Sequence, residues 1–242
     1  MYLSKITYSP THQAEMVKAL TQHRNLFHEH QMIWGLMPQD ADSKRDFLYR
    51  KDESERFPFY YLLSERLPDN IPDFLQVQSK AFSPHLVESG QYGFSLRANA
   101  VITRKADDIS KRRIRRNIVE AKADEYKQRF PATGDRPSSA VIHHEAGEQW
   151  LSGQGEKHGF KLRDLSVSNH LFHKHQNKDS NSGRRQFASL DFDGTLEITN
   201  PEKFVQSMYS GRPNPDPKND SLVRGLGRSM AFGCGLMLIR KA

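Results

Sequence analysis

The stretch Tyr2-Leu-Ser-Lys-Ile-Thr-Tyr8 alternates between apolar and polar residues and predicts a short β-strand. Thr11 can then cap a helix, because its hydroxyl suits the first position of a helix. Apolar residues recur at steps of three and four from Met16 to Met37, which is the pattern of an amphipathic helix. Pro38 ends this pattern, and a break near residues 23–25 remains possible.

Two further strands, at residues 46–51 and 57–65, are joined by a charged turn and predict a hairpin. Residues 75–82 alternate again and predict a fourth strand. The resulting order, βαββ(α)β, is the ferredoxin-like pattern of helices packed on an antiparallel sheet. Proline, glycine and polar residues at 83–90 mark a domain boundary.

The remainder of the chain predicts a second unit of similar class. The expected elements are a strand at 92–103, a helix at 114–130, a hairpin of 160–172 with 186–199, a helix from Pro201 and a final strand at 235–240. Residues 131–148, 176–183 and 212–220 are rich in Pro, Gly, Ser or Asn and predict loops. We therefore expect an α+β protein of two tandem ferredoxin-like domains, 1–88 and 89–242.

The charge of the chain favours a polyanionic partner. Its 242 residues include 36 Lys and Arg against 29 Asp and Glu, a formal net charge of +7. The positive residues concentrate in Lys111–Arg116 and Gly183–Arg185, and phosphate contacts require such clusters. A solvated protein face explains the same runs equally simply.

The single cysteine, Cys234, excludes an internal disulfide and suits a reducing compartment as a buried thiol. No apolar stretch approaches the 18 residues of a membrane span. We expect a soluble cytoplasmic protein without a membrane partner.

The glycine-rich segment, residues 225–235, contains four glycines around Arg228. Glycines allow backbone N–H groups to approach a ligand closely, and such groups bind phosphate oxygens. No Lys-Ser/Thr pair follows as in a P-loop. A glycine turn before a buried strand is the alternative interpretation.

Histidine is abundant, with 11 residues, but the spacing does not indicate a metal site. On a helix, His28 and His30 point to different sides, while His23 and His30 differ in height by about 11 Å. We therefore expect neither a metal nor another cofactor. His30 is a candidate general acid or base because imidazole titrates near neutrality, although a packed histidine is the alternative.

Several collinear segments resemble the CasE endoribonucleases of the type I-E Cascade complex, which are members of the RAMP superfamily. The matching segments are Met1–Lys5, His30-Gln31 with Trp34, Arg45–Tyr49, Phe94–Asn99, Gln149–Leu151, Gly159-Phe160, Leu190–Leu196 and the glycine-rich segment. The resemblance makes His30 the catalytic histidine. It implies metal-independent cleavage of precursor CRISPR RNA at the 3′ base of the repeat hairpin, by attack of a 2′-hydroxyl. The partners would be the CRISPR RNA repeat hairpin and the other Cascade subunits.

The resemblance also implies which residues hold the RNA, by shape and phosphate contacts. They are Arg112, Arg113, Arg115, Arg116, Lys174, Lys178, Arg184, Arg185, Gly225, Gly227, Arg228, Gly233 and Gly235. One position departs from the family, which carries a tyrosine one helical turn before the histidine where this chain has Phe27. Charge stabilisation must then come from another residue, with His23, Arg24, His28, Ser43 and Lys44 as candidates. An inactive RNA-hairpin scaffold and a nucleotide-binding metabolic enzyme remain alternative functions.

Overall fold

A computed structural model describes residues 1–22, 26–39, 45–105, 113–175, 185–209 and 225–241. Within these ranges the elements are β1 (Tyr2–Tyr8), α1 (Gln13–Gln22), α2 (Leu26–Gly35), β2 (Phe47–Asp52), β3 (Phe59–Ser64), β4 (Leu75–Ala81), β5 (Gln91–Ala98), β6 (Val101–Lys105), β7 (Arg113–Asn117), α3 (Ile118–Arg129), α4 (Ser139–His158), β8 (Phe160–His175), β9 (Arg185–Ile198), α5 (Pro201–Met208) and β10 (Met237–Lys241). Short 3₁₀ turns lie at Thr133–Asp135 and Met230–Phe232. None of the helices in these ranges is long and apolar enough to cross a membrane.

The chain divides into two compact units. The first unit comprises Met1–Leu86 and Glu202–Leu236, and the second comprises Val87–Pro201 and Met237–Ala242. The first boundary lies close to the predicted residue 88. The division differs from the predicted one in that the glycine-rich segment groups with the first unit, because Leu48 and Tyr49 of β2 contact it directly.

The first unit is an antiparallel sheet with the strand order β2-β3-β1-β4. Along each strand the side chains point alternately to the two faces of the sheet, and those on one face pack against α1 and α2. This core consists of Ile6, Tyr8, Met16, Ala19, Ile33, Leu36, Met37, Phe47, Tyr49, Tyr60, Leu62 and Leu75. At about 25 cal/mol for each Å² of buried apolar surface, such a cluster is the main stabilisation of the unit. The edge strand β2 therefore has its position fixed by packing against both helices.

The second unit repeats this topology. Its main sheet has the order β10-β5-β9-β8. If the four strands of each main sheet are numbered along the chain, both sheets have the order 4-1-3-2. The hairpin of β8 and β9 matches the predicted one and runs to the pair His175 and Arg185. The predicted α+β class with antiparallel sheets is confirmed, and the two main sheets share one strand order.

Three predictions for the second unit are wrong in detail. The strand expected at 92–103 is two strands, β5 and β6. The expected helix 114–130 begins only at Ile118, where the Asn117 side chain caps it by accepting from the Val119 and Glu120 N–H groups. Residues 113–117 instead form β7, which pairs with β6.

The loop expected at 131–148 ends much earlier than predicted, because α4 begins at Ser139. The Ser138 hydroxyl accepts from the Val141 N–H and caps the helix. Gly147 lies inside this helix, where a Cβ would come within 2.8 Å of Val167. Gly147 contributed to the loop prediction, but in the structure it allows α4 to pack closely on the sheet.

Candidate active site

His30 lies on α2 among three aromatic rings. Its imidazole centroid is 5.9 Å from that of Trp34, 6.3 Å from that of Phe47 and 6.2 Å from that of Phe232. Trp34 follows one helical turn later on the same face of α2. Phe47 begins β2, and Phe232 belongs to the glycine-rich segment. Three separate parts of the first unit therefore converge on this imidazole.

The surroundings of His30 favour its neutral form. Burial lowers the pKa of His30 below the usual 6.5, because the imidazolium loses hydration, and the positive charge of Arg45 lowers it further. The Nδ1 atom is buried and has no hydrogen-bond partner among the described residues. Since the pKa lies below 6.5, most His30 side chains are uncharged at pH 7 and can accept a proton.

Arg45 is the cation of this site. It lies two residues before β2. An ion pair between buried Asp46 and Arg66 fixes the start of this strand, with 2.6 Å between the Arg66 Nε and an Asp46 carboxylate oxygen. Burial lowers the pKa of Arg45, while the neighbouring Tyr49 acts in the opposite direction. A guanidinium keeps its proton in proteins, so Arg45 places a positive charge beside His30.

Tyr49 joins β2 to the glycine-rich segment. Its fully buried hydroxyl donates a hydrogen bond of 3.1 Å to the Ala231 carbonyl oxygen. Ala231 is the middle residue of the 3₁₀ turn Met230–Phe232, so this bond holds the turn that carries Phe232. Burial raises the pKa of Tyr49 well above its usual value, which keeps the phenol a hydrogen-bond donor at any physiological pH.

The glycine-rich segment folds back on itself at this site. The Leu226 N–H donates to the Gly235 carbonyl oxygen over 3.0 Å. A Cβ on Gly225 would collide with that same oxygen and would also touch Leu48. Gly233 ends the 3₁₀ turn with a φ of 73°, a left-handed conformation that favours glycine. The glycines thus allow the segment to wrap closely around the edge strand β2.

A buried ion pair lies on the neighbouring side of α2. Glu29 is only 2% exposed, and Lys51 on β2 approaches its carboxylate to 2.8 Å. The attraction of Glu29 is among the causes that raise the pKa of Lys51. Removing one partner of such a pair would leave an uncompensated buried charge, so the pair fixes α2 against β2 and thereby the position of His30.

The predicted RNA-binding residues are distributed over both units. Gly225, Gly227, Gly233 and Gly235 lie in the same unit as His30, as does exposed Arg228, and the segment contacts the imidazole through Phe232. The basic residues of the other two clusters belong to the second unit. Of these, Arg113, Arg115 and Arg116 lie on β7, Lys174 lies near the end of β8 and Arg185 begins β9, whereas Arg112, Lys178 and Arg184 lie outside the described residues.

The structure distinguishes two of the arginines on β7. Arg115 is exposed, whereas Arg116 donates a hydrogen bond to Asp124 of α3. The Asp124 carboxylate partly offsets the charge of Arg116, so Arg115 carries the more accessible charge of the two.

No group of three or more His, Cys, Asp or Glu side chains within the described ranges is arranged to hold a metal ion. Cys234 is buried beside the 3₁₀ turn. His143 and His170 lie on α4 and β8 with ring centroids 4.7 Å apart. The groups described at the site above are an imidazole, a guanidinium and backbone amides.

Sequence reasoning identified His30 but not Arg45 as part of the site. Of the candidates named for charge stabilisation, His28 is exposed on α2, and the other four lie outside the described residues. Arg45 was visible only as the first residue of the segment Arg45–Tyr49. The signal that could have identified it is its place just before a strand whose first residue, Phe47, is apolar and packs against α2.

Comparisons with known proteins agree with this fold. A family model described as CRISPR associated protein matches residues 1–211. A structure of the CRISPR endoribonuclease Cse3 bound to a 19-nucleotide RNA has a TM-score of 0.66 at 20% identity, with 99% of this chain and 100% of that chain covered. No curated protein matches the sequence.

Two further structures are similar over their full length. Cse3 of Thermus thermophilus, bound to an RNA that represents a pre-cleavage complex, has a TM-score of 0.63 at 19% identity, covering 99% of this chain and 98% of that chain. Cas6e of Escherichia coli K-12 has a TM-score of 0.58 at 18% identity, with both chains fully covered. At such identities the likeness concerns the fold. The match over residues 1–211 goes further and establishes that the chain belongs to the family of CRISPR-associated proteins.

Proposed function

We propose that this protein is an endoribonuclease that binds the hairpin repeat of precursor CRISPR RNA and cuts it at the 3′ base of the stem. The observation that carries the proposal is the neutral imidazole of His30 next to the charge of Arg45. The fold supports it, since similar chains are an RNA-bound CRISPR endoribonuclease and a subunit of a CRISPR RNA-guided surveillance complex. After cleavage the protein stays on its product as a Cascade subunit.

The reaction uses the RNA's own nucleophile. The 2′-oxygen attacks the adjacent phosphorus, the bond from phosphorus to the 5′-oxygen breaks, and the products are a 2′,3′-cyclic phosphate and a 5′-hydroxyl. His30 takes the proton of the 2′-hydroxyl, which its lowered pKa permits at neutral pH. Because Nδ1 is buried, the substrate meets the imidazole at Nε2. The leaving 5′-oxygen receives a proton from the imidazolium so formed or from water.

Arg45 stabilises the charge that develops on the phosphorane. A guanidinium in a half-buried site is effective because little water screens it and no reorganisation is needed at the moment of reaction. In this chain Phe27 stands where the family has a tyrosine, and Arg45 therefore supplies the charge stabilisation instead. These two groups, with the RNA hydroxyl, complete the reaction without a metal ion.

Binding depends on a second set of groups. The amides of the glycine-rich segment and Arg228 hold backbone phosphates near His30, and Arg115 of the second unit contacts a further phosphate. Phosphate contacts of this kind fix the register of the RNA, so the scissile phosphate is presented in line with its 2′-oxygen.

A scaffold that binds the hairpin without cutting it is the second candidate. The observation that favours it is Phe27, whose exposed ring has no hydroxyl to donate. In such a protein His30 would only pack against its three aromatic neighbours.

Incubation with the CRISPR repeat of the same genome in the presence of EDTA tests the proposal. We expect one cut at the 3′ base of the stem and a cyclic phosphate terminus detected by mass spectrometry. RNA with a 2′-deoxy nucleotide at the scissile position should bind and stay intact. Cleavage of that deoxy substrate, or cleavage that EDTA abolishes, would contradict the mechanism, whereas bound but uncut natural repeat would support the scaffold.

A further inference from the structure

The first sheet has a second face, opposite to the one on which His30 packs. Helices α1 and α2 pack on one face, against Ile6, Tyr60 and Leu62. The residues that alternate with these point to the opposite face, called the open face here. A groove of about 360 Å³ lies on it, lined by Leu3, Lys5, Tyr61, Gln78, Ser79 and Lys80.

One row of side chains crosses all four strands of this face. The register pairs Arg50 with Tyr61, Tyr61 with Lys5 and Lys5 with Gln78, so the order across the sheet is cation, aromatic, cation, amide. In the next row Lys80 pairs with Leu3. Lys80 and Gln78 are exposed, and Tyr61 and Lys5 are partly exposed.

Two aromatic residues occupy the central strand β3 on this face, of which Phe59 is buried and Tyr61 is partly exposed. Phe59 and Tyr61 are two positions apart, and their rings meet edge to face with centroids 5.4 Å apart. The Lys5 ammonium lies 4.2 Å from the Phe59 ring centroid and 3.1 Å from the exposed Glu55 carboxylate. Exposed ion pairs contribute little stability, so Lys5 can exchange Glu55 for a phosphate.

This arrangement has the chemistry of a single-stranded nucleic-acid platform. Sheets with the same strand order in RNA-recognition modules stack bases on aromatic side chains of their central strands. Stacking on tyrosine, phosphate contact by lysine and hydrogen bonding of base edges by glutamine together recognise an unpaired nucleotide. The groove volume falls within the range of small ligand sites, about 300–1,000 Å³.

We infer that the open face binds a single-stranded RNA segment, with one base on Tyr61 and the backbone along Lys5 and Lys80. This inference rests on the proposed function, because a precursor RNA carries unpaired nucleotides on both sides of its hairpin. The open face then acts as a second RNA site that adds affinity for flanked substrates. It is separate from the cleavage site, since His30 packs on the helix-covered side of the same sheet.

The affinity gained from the flank tests this second site. Fluorescence anisotropy compares the repeat hairpin alone with the same hairpin carrying eight unpaired nucleotides on each side. Wild-type protein should bind the flanked RNA about tenfold more tightly, the effect of one stacked base. Tyr61→Ala should lose this gain and Tyr61→Phe should keep it. Lys80→Ala should weaken only the flanked RNA, while Lys18→Ala, a matched change on exposed α1, should change neither.

Cleavage of the bare hairpin is measured with the same proteins. This measurement distinguishes a failure of the open-face site from a failure of the proposed function. If wild-type protein cuts the bare hairpin but binds the flanked RNA no more tightly, the inference of an open-face site is wrong and the proposed function stands. If the bare hairpin is not cut, the proposed function is wrong.

Photo-crosslinking shows whether RNA binds the open face, whatever the result of the cleavage measurement. A 4-thiouridine oligonucleotide should attach to the tryptic peptide Phe57–Arg66 or to β4. Attachment only elsewhere, or equal flank gains in wild type and Tyr61→Ala, would overturn the inference and would indicate that a protein covers this face.

Discussion

The Phe232 ring meets the His30 imidazole edge to face, with 6.2 Å between their centroids and 64° between their planes. This contact brings the glycine-rich segment to the helix that carries the proposed proton acceptor. In the proposed function, the groups that bind the RNA backbone and the group that transfers the proton would therefore belong to one site. The segment lies in the same compact unit as His30.

Removal of the Phe232 ring should raise the pKa of His30. In Phe232→Ala, water reaches the imidazole and stabilises its charged form, so the pKa should move up toward 6.5. The titration of the His30 ring protons by NMR measures this shift, and Phe232→Leu should shift the pKa less. An unchanged pKa in Phe232→Ala would mean that Trp34 and Phe47 alone exclude water from His30.

Replacement of Arg45 should change both the rate and the pH dependence of cleavage. A base must be neutral to act, so the rate should rise with pH and level off above the pKa of His30, which lies below 6.5. Arg45→Gln removes a positive charge that lowers this pKa, so the midpoint should move to higher pH. The plateau rate should fall about 10²-fold through lost charge stabilisation.

Arg45→Lys is the matched control for this change, because it retains the charge and should retain the low midpoint. A normal plateau rate in Arg45→Gln would remove Arg45 from the reaction.

Loss of the Tyr49 hydroxyl should destabilise the protein and loosen the glycine-rich segment. Tyr49→Phe leaves the Ala231 carbonyl without this donor, at a cost of about 1 kcal/mol in free energy of unfolding. Urea denaturation measures the loss, and the affinity for repeat RNA should fall with it. Wild-type stability together with wild-type affinity would show that the bond does not hold the segment.

Gly225→Ala should disrupt the crossing of the glycine-rich segment. The new methyl group would meet the Gly235 carbonyl oxygen, and overpacking of this kind costs about 1–3 kcal/mol. RNA affinity and thermal stability should both fall. Gly134→Ala provides the control, because nothing lies within 4 Å of a Cβ there. Equal behaviour of the two variants would argue against the close crossing.

The salt dependence of RNA binding should identify the arginine of β7 that contacts phosphate. Arg115→Ala should reduce the slope of log K against log salt concentration by about one for a lost phosphate contact. Arg136→Ala is the control, since Arg136 donates to the carbonyl oxygens of Phe130 and Pro131 within the second unit. A slope unchanged by Arg115→Ala would exclude Arg115 from the RNA contact.

Local patterns in the sequence predicted most of the fold. The alternation of Tyr2–Tyr8 and the long β8–β9 hairpin were recognisable because strand faces repeat every two residues. Residues 131–148 were predicted as a loop from their glycine and proline content. The glycine at 147 instead reflects tight packing of α4 on β8, a long-range contact that composition does not reveal.

The site itself was only partly predictable. His30 was identified through a family resemblance together with the chemistry of imidazole. Arg45 is distant along the chain and reaches His30 only because α2 and β2 pack together, and Phe232 reaches it only because the glycine-rich segment wraps around β2. Contacts of this kind depend on tertiary structure, so no periodicity indicates them.

The single-turnover cleavage rate of the repeat hairpin by His30→Ala, measured in EDTA at saturating protein, tests the central claim most directly. The account predicts that this variant binds the hairpin like the wild type but cuts it at least about 10²-fold more slowly, the range of a lost general base. His85→Ala, a change of an exposed histidine in the same unit, should cut normally. Cleavage by His30→Ala at the wild-type rate, with binding intact, would contradict the account.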